Sequence, residues 1–242
     1  METKEKILIT GTAGFVGFHL AENLLKKGFE VFGIDGITNY YDVNLKFDRH
    51  NILSNYKNFS KEEFLLEDSQ KLNEVFVSFK PSIIVHLAGQ PGVRYSHQNP
   101  MSYVNSNLIA TFNILEMSKK YQIRHLLFSS TSSVYGDSSL IPFKEIDKTD
   151  EPLSFYAATK KSCEVMLHSY SHIYKIPVSV IRFFTVYGPW GRPDMALFKF
   201  TKKIINNEEI EIYNNGNMRR DFTYIDDLID GINSIIEKIP NN

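Results

Sequence analysis

Two patterns of apolar and polar positions alternate along the chain. Short, nearly continuous apolar runs occur at Lys6-Ile7-Leu8-Ile9-Thr10, residues 30–35, Ser82-Ile83-Ile84-Val85-His86-Leu87-Ala88, residues 125–130 and residues 178–184. Between them lie longer amphipathic stretches: residues 15–27, 70–79, 100–121 and the segment from about Ser154 onwards. Runs of the first kind read as strands buried on both faces, and stretches of the second as helices that cover them. Such alternation predicts an α/β fold, a doubly wound parallel sheet of the Rossmann-like type. His86 lies inside one of the apolar runs and reads as a hydrogen-bonded core histidine. Elsewhere the pattern is less regular. Residues 37–60 show no clean period and read as a long loop with a short helix, followed by a third strand around Phe64-Leu65-Leu66. Beyond residue 185 the pattern predicts a helix at 195–205, a short strand at 209–213 and a turn at Asn214-Asn215-Gly216-Asn217. A terminal helix follows at 226–239, with Asp226 as its N-cap.

Composition narrows the class without naming a chemistry. At 242 residues the chain can bury one large core with a small lobe beside it. A formal charge of −1 gives no reason to expect nucleic acid or an acidic membrane surface as a partner. No apolar run is long enough to span a bilayer, so no membrane association is expected. The single cysteine, Cys163, excludes an intrachain disulfide, and the N-terminal residues lack the order of a signal peptide. A cytoplasmic location is the expectation.

Candidate chemistry begins at Gly11-Thr12-Ala13-Gly14-Phe15-Val16-Gly17, between the first apolar run and the first amphipathic stretch. A glycine turn feeding a helix N-terminus cradles a pyrophosphate with free N–H groups and a positive dipole end. The spacing is G-x-x-G-x-x-G, and an ordinary glycine turn remains an alternative on these residues alone. Asp35 closes the second strand at roughly the 20-residue distance expected of a carboxylate that binds the adenosine ribose. That carboxylate would repel a 2′-phosphate, which favours NAD. Further on, Ser129-Ser130-Thr131-Ser132-Ser133 places five hydroxyls at a strand end, where open α/β sheets bind ligands. Tyr156 and Lys160, four apart, share one helix face. A lysine ammonium and a positive nicotinamide ring would both favour the phenolate, bringing Tyr156 toward working pH as a general base, with Thr131 as its partner hydroxyl. The set points to hydride transfer at an alcohol or sugar carbon.

With those motifs in place the chain resembles the extended short-chain dehydrogenase/reductases, the NAD-dependent epimerase/dehydratase family, and within them the UDP-glucuronate 4-epimerases. The most specific matches are Gly89-Gln90-Pro91-Gly92-Val93-Arg94-Tyr95-Ser96, Thr131-Ser132-Ser133-Val134-Tyr135-Gly136, residues 182–195 and Arg220-Asp221-Phe222-Thr223-Tyr224-Ile225. The resemblance implies NAD as cofactor, held by Gly11, Gly14, Phe15, Val16, Gly17, Asp35, Ala88, Gly89, Asn107, Tyr156 and Lys160. It implies acid–base work by Thr131 and Tyr156 with Lys160. Ser132, Ser133 and Thr185 would surround a sugar carboxylate, while Arg192 and Arg220 would face a nucleotide diphosphate. Arg94 is either a further anion contact or a solvent-exposed loop arginine. No metal is implied. The related 4,6-dehydratases carry an Asp-Glu pair where this chain has Ser132-Ser133, and the decarboxylases carry a glutamate at the position of Ser133. Without either carboxylate, oxidation and re-reduction at C4 of a UDP-sugar is the simplest outcome. A 4-epimerase of UDP-galactose or UDP-N-acetylhexosamine is the alternative substrate reading, and a non-catalytic NAD-binding protein the alternative class.

Two features depart from the family pattern. The aspartate that usually follows the third strand and contacts adenine is replaced by Leu65, with Asp68 the nearest carboxylate that a local shift would bring in. Family members also continue past residue 242, so residues 1–185 are expected to form the NAD-binding domain and 186–242 an incomplete nucleotide-sugar lobe. The resemblance further implies helices 100–121 and 154–174 as the faces of a homodimer.

Overall fold

The computed structural model describes residues 5–138 and 141–240. Six parallel strands form one sheet: β1 (Lys6–Thr10), β2 (Glu30–Asp35), β3 (Phe59–Glu63), β4 (Ile83–His86), β5 (His125–Thr131) and β6 (Val178–Phe183). Their order across the sheet is β3-β2-β1-β4-β5-β6. The order reverses between β1 and β4, and the carboxyl ends at such a reversal open a crevice. Register confirms the direct pairing there, with Ile7 opposite Ile83 and Thr10 opposite His86.

The continuous apolar runs are explained by a sheet buried on both faces. Leu8, Ile84, Leu126 and Phe128 point to one side. There they meet Leu72 and Phe76 of helix α3 (Ser69–Phe79), Ile114 of the helix Ala110–Lys120 and Leu167 of the long helix Phe155–Tyr174. Ile7, Ile9, Ile83, Val85 and Leu127 point to the other, against Phe18, Leu20 and Leu24 of helix α1 (Phe15–Lys26). Period-two alternation thus serves two cores at once.

Three local expectations are corrected. The third strand is Phe59–Glu63, not residues 64–66. It pairs only with β2 along one edge, and an edge strand carries charge readily, which hid Ser60-Lys61-Glu62-Glu63 from an apolar search. Residues 209–213 form no strand; a 3₁₀ turn at Tyr213–Gly216 follows an irregular segment. The terminal helix starts at Ile225 with Tyr224 as N-cap residue, so Asp226 sits in its first turn, where a carboxylate favours the dipole.

Between β2 and β3 lies α2 (Val43–Leu53), capped by the Asp42 side chain. After β4 the chain makes α4 (Tyr95–Gln98) and α5 (Pro100–Tyr103), a π-turn at Val104–Ile109, and then α6 (Ala110–Lys120). Helix α7 (Phe155–Tyr174) begins at Ser154, whose hydroxyl accepts from the Ala157 N–H at 3.1 Å. A second, two-stranded parallel sheet pairs β7 (Thr185–Tyr187) with β8 (Phe222–Tyr224). The segment between them carries α8 (Ala196–Ile205), which buries none of its residues and exposes Leu197, Ile204 and Ile205. Helix α9 (Ile225–Glu237) then returns to the main body. Its Ile225, Ile229, Ile232 and Ile236 line one face and enter the core beside α1.

Candidate active site

A cleft lies over the carboxyl ends of β1, β2, β4 and β5, where the strand order predicts it. Its walls include Gly11, Gly14, Phe15, Val16, Gly17, Asp35, Ala88, Gly89, Thr131, Tyr156, Lys160 and Arg192. Residues assigned to cofactor, proton transfer and anion binding therefore meet in one space.

The glycine turn is built by close approach. Gly11 has φ +81°, and a Cβ there would lie 2.9 Å from the Ala88 nitrogen. A Cβ at Gly14 would lie 2.9 Å from the Gly11 carbonyl oxygen, and one at Gly17 only 2.0 Å from it. The third glycine thus lets α1 pack on the turn's own carbonyl. The turn is held open by Asp35, whose carboxylate accepts from the Ala13 N–H at 2.9 Å and the Ile37 N–H at 2.9 Å. A carboxylate offers about four lone-pair directions, so capacity remains for ribose hydroxyls. Bare helix N-terminus, glycine cradle and strand-end carboxylate together fit a dinucleotide. At the far end of the cleft Leu65, Leu66 and Glu67 form the wall. Asp68 is exposed and caps α3 by accepting from the Lys71 N–H, so it is occupied outside the cleft.

Helix α7 sets the reactive group. Tyr156, Lys160 and Glu164 follow at four-residue intervals on one stripe. Lys160 is buried, and its Nζ sits 4.5 Å over the Phe128 ring. Burial pulls its pKa down to about 8. Tyr156 departs from the expectation of a depressed pKa. Burial raises it, while the Thr131 hydroxyl and Arg192 pull the other way without overcoming that. The physical reason is that burial penalises the charged phenolate more than the Thr131 hydrogen bond and the Arg192 charge favour it.

The hydroxyl run divides its labour. Ser129, Ser130 and Thr131 line the cleft, but Ser129 donates to the His86 carbonyl and Ser130 to the Glu164 carboxylate. Thr131 accepts from the Ser133 N–H and donates to the Ser133 hydroxyl, both at 3.2 Å. Ser132, Ser133 and Thr185 are half-buried beside this corner and outside the cleft's immediate wall. Asn107 stands behind the wall. Its Oδ1 accepts from the Gln90 N–H at 2.8 Å and its Nδ2 donates to Thr159 at 3.0 Å, so it acts on the cleft through the Gly89–Gln90 backbone.

Among the anion candidates, Arg192 alone borders the cleft. It forms a forked pair with Asp194, which also accepts from the Tyr40 hydroxyl at 3.2 Å. Arg94 is exposed and stacks on the Tyr213 ring at 3.7 Å. Arg220 is exposed and donates to its neighbour's carbonyl. Three features escaped the sequence reading: the π-turn that positions Asn107, the part-buried Glu164–Arg182 pair at 2.9 Å, and Arg49, which has no exposed surface. Glu164 had a signal, since it extends the Tyr156–Lys160 stripe by one turn. Burial alone would raise its carboxyl, but hydrogen bonds from Arg182 and Ser130 hold it below the usual range. Among the described residues no group of three metal-ligating side chains comes together, and no helix is long and apolar enough to cross a membrane.

Comparison with known proteins decides the family. The model of the NAD dependent epimerase/dehydratase family matches residues 7–242. The chain belongs to that family. A probable UDP-glucuronate 4-epimerase of Rhizobium meliloti is 54% identical over 227 residues, covering 94% of this chain and 67% of its own length. Protein CapI of Staphylococcus aureus is 53% identical over 233 residues, covering 96% of this chain and 70% of its own. Among solved structures, the UDP-glucuronic acid 4-epimerase of Bacillus cereus, in complex with UDP-glucuronic acid and NAD, superposes with a TM-score of 0.88 at 37% identity. That match covers 98% of this chain and 74% of the other. As a member of an NAD-dependent family, the chain carries the glycine turn and Asp35 where a dinucleotide fits.

Proposed function

We propose that this protein is an NAD-dependent nucleotide-sugar 4-epimerase that interconverts UDP-glucuronate and UDP-galacturonate. The observation that carries the reading is the meeting of the glycine turn with Thr131, Tyr156 and Lys160 in one cleft. The relatives named UDP-glucuronate 4-epimerases support the choice of substrate. Bound NAD would supply a reversible hydride acceptor for C4. Tyr156 takes the proton of the C4 hydroxyl and later returns it, and the Thr131 hydroxyl aligns that oxygen. Lys160 in its ammonium form lowers the energy of the phenolate and donates to the ribose. Arg192 faces the diphosphate, with Arg94 and Arg220 as contacts from the surrounding loops. The hydroxyls of Ser132, Ser133 and Thr185 hold the sugar carboxylate, which restrains the 4-keto acid from losing carbon dioxide. No carboxylate stands at 132 or 133 to drive elimination. Residues 1–185 are assigned to the cofactor domain and 186–242 to the sugar-nucleotide side, with α9 packing back on α1.

We also propose a homodimer through α6 and α7, which pack together and expose Phe112 and Val165. A cytoplasmic location agrees with the single cysteine, Cys163, being buried and unpaired. Incubation with UDP-glucuronate and NAD, followed by NMR of the products, tests the function. UDP-galacturonate is expected. Release of carbon dioxide with a UDP-pentose, or no conversion while UDP-galactose is epimerised, overturns the assignment.

A further inference from the structure

We propose that Arg49 is a positioning residue that couples the cofactor turn to the loop bearing Arg192, so that NAD and the nucleotide sugar favour each other's binding. The inference rests on the function proposed above. Arginines seldom lose all contact with solvent, yet Arg49 on α2 has none. Its fork joins two segments far apart in sequence. Nη1 donates to the Ala13 carbonyl at 2.7 Å and to the Tyr41 hydroxyl at 2.8 Å. Nη2 donates to the Trp190 carbonyl at 2.6 Å, with the Gly191 carbonyl at 3.4 Å.

Both ends of this bridge matter for binding. The Ala13 peptide lies in the glycine turn, and its N–H is held by Asp35. One residue is thus clamped through both of its peptides, by an anion at its N–H and a cation at its carbonyl. At the other end Trp190 has φ +58°, a left-handed conformation that a bulky residue adopts only when its surroundings impose it. Arg49 grips the carbonyl of this residue, two positions before Arg192. Helix α1 grips the same loop, through the Phe18 ring against Trp190 and His19 on the Pro189 carbonyl at 2.9 Å. The backbone that launches Arg192 toward the cleft is therefore braced against the cofactor turn.

The electrostatics give the coupling its sign. Among the described residues no carboxylate pairs with Arg49, and its Nε has no hydrogen-bond partner. A buried cation balanced by carbonyl dipoles and the Tyr41 hydroxyl and ring, with no carboxylate paired to it, is costly, and an anion across the thin glycine turn reduces that cost. Arg49 does not border the cleft, so a pyrophosphate would act on it through the turn. Strengthening the fork at Ala13 also steadies its grip on Trp190. Only a planar, forked guanidinium bridges both carbonyls; an ammonium reaches one.

Trp190 is the single tryptophan of the chain and reports on this loop directly. The test titrates UDP with and without saturating NAD, and NAD with and without UDP, in the wild type, Arg49→Lys and Arg49→Met. Melting temperature and Trp190 fluorescence are recorded for each. The wild type is expected to bind each ligand about 5-fold or more tightly when the other is present. Arg49→Lys should reduce that factor toward one and shift Trp190 emission to longer wavelength, while still binding NAD. A wild-type protein that binds both ligands without coupling, or an Arg49→Lys variant that keeps the factor and loses only melting temperature, overturns the inference alone. Binding of neither ligand by the wild type overturns the proposed function and the inference with it. Should Arg49→Lys fail to fold, Tyr41→Phe removes one fork partner and is read the same way, undiminished coupling overturning the inference.

Discussion

At the scale of single residues, the proposed function gives proton transfer to Tyr156 and charge control to Lys160. Tyr156 is the phenol on the α7 stripe that borders the cleft, and under the proposed function its replacement removes the proton acceptor while leaving the cradle in place. Tyr156→Phe should lower kcat by roughly 10²–10⁴-fold, the usual share of general acid–base catalysis, with NAD binding retained. Steady-state kinetics and an NAD titration check both halves. Lys160 supplies a pH signature. Its pKa is pulled down to about 8 by burial, so the ammonium proposed to hold the cofactor ribose is present below that pH and lost above it. NAD affinity should therefore weaken as pH rises through about 8, and the inflection should vanish in Lys160→Met. A wild-type affinity that is flat between pH 6.5 and 9.5 would sink this account. His86 adds no titration in this range, because burial between Thr10 and Thr111 brings it down to about 3 and keeps it neutral.

At the scale of elements, the strand–turn–helix unit depends on atoms that glycine omits. A Cβ at Gly17 would lie 2.0 Å from the Gly11 carbonyl oxygen, a backbone atom that cannot swing aside. Gly17→Ala should destabilise the fold by about 1–3 kcal/mol, the common cost of overpacking. Thermal unfolding should show a melting temperature lower by about 2–4 °C per kcal/mol, together with weakened NAD binding. The same change at Gly231 meets nothing within 4 Å and serves as the control. The π-turn at Val104–Ile109 works in a related way, setting Asn107 against the Gln90 N–H and fixing the cleft wall beside the glycines.

At the scale of the whole molecule, apolar surface is unevenly spread. Met101, Ile109, Phe112, Val165 and Ile173 are all exposed on α5 to α7 or the π-turn joining them. If this is the dimer face, Phe112→Glu with Val165→Glu should shift the protein to monomer in sedimentation velocity, because unpaired charge would be buried at the contact. The wild type sedimenting as a monomer at tens of micromolar would rule the face out. The cleft itself is bounded by segments that the chain brings from both ends. Tyr40 reaches Asp194 and Arg94 reaches Tyr213, so side-chain contacts tie the segment after β7 to the loops that follow β2 and β4.

The sequence by itself determined the doubly wound sheet, the glycine turn, Asp35 and the Tyr156–Lys160 pair. Each is a local pattern, written in residues a few positions apart: a strand buried on both faces must be apolar throughout, and a turn without room for a Cβ must be glycine. Only the tertiary structure decided the rest. Edge strand β3 was hidden because its charged residues face solvent and its identity comes from pairing with β2. The rise in the Tyr156 pKa follows from burial, a property of everything packed around the ring. Asn107 and Glu164 act on residues 17 and 34 positions away, and Arg49 on residues 36 and 141 positions away. Contacts at such separations leave no period or spacing in the chain, because the side chains that meet are chosen by how helices and strands stack.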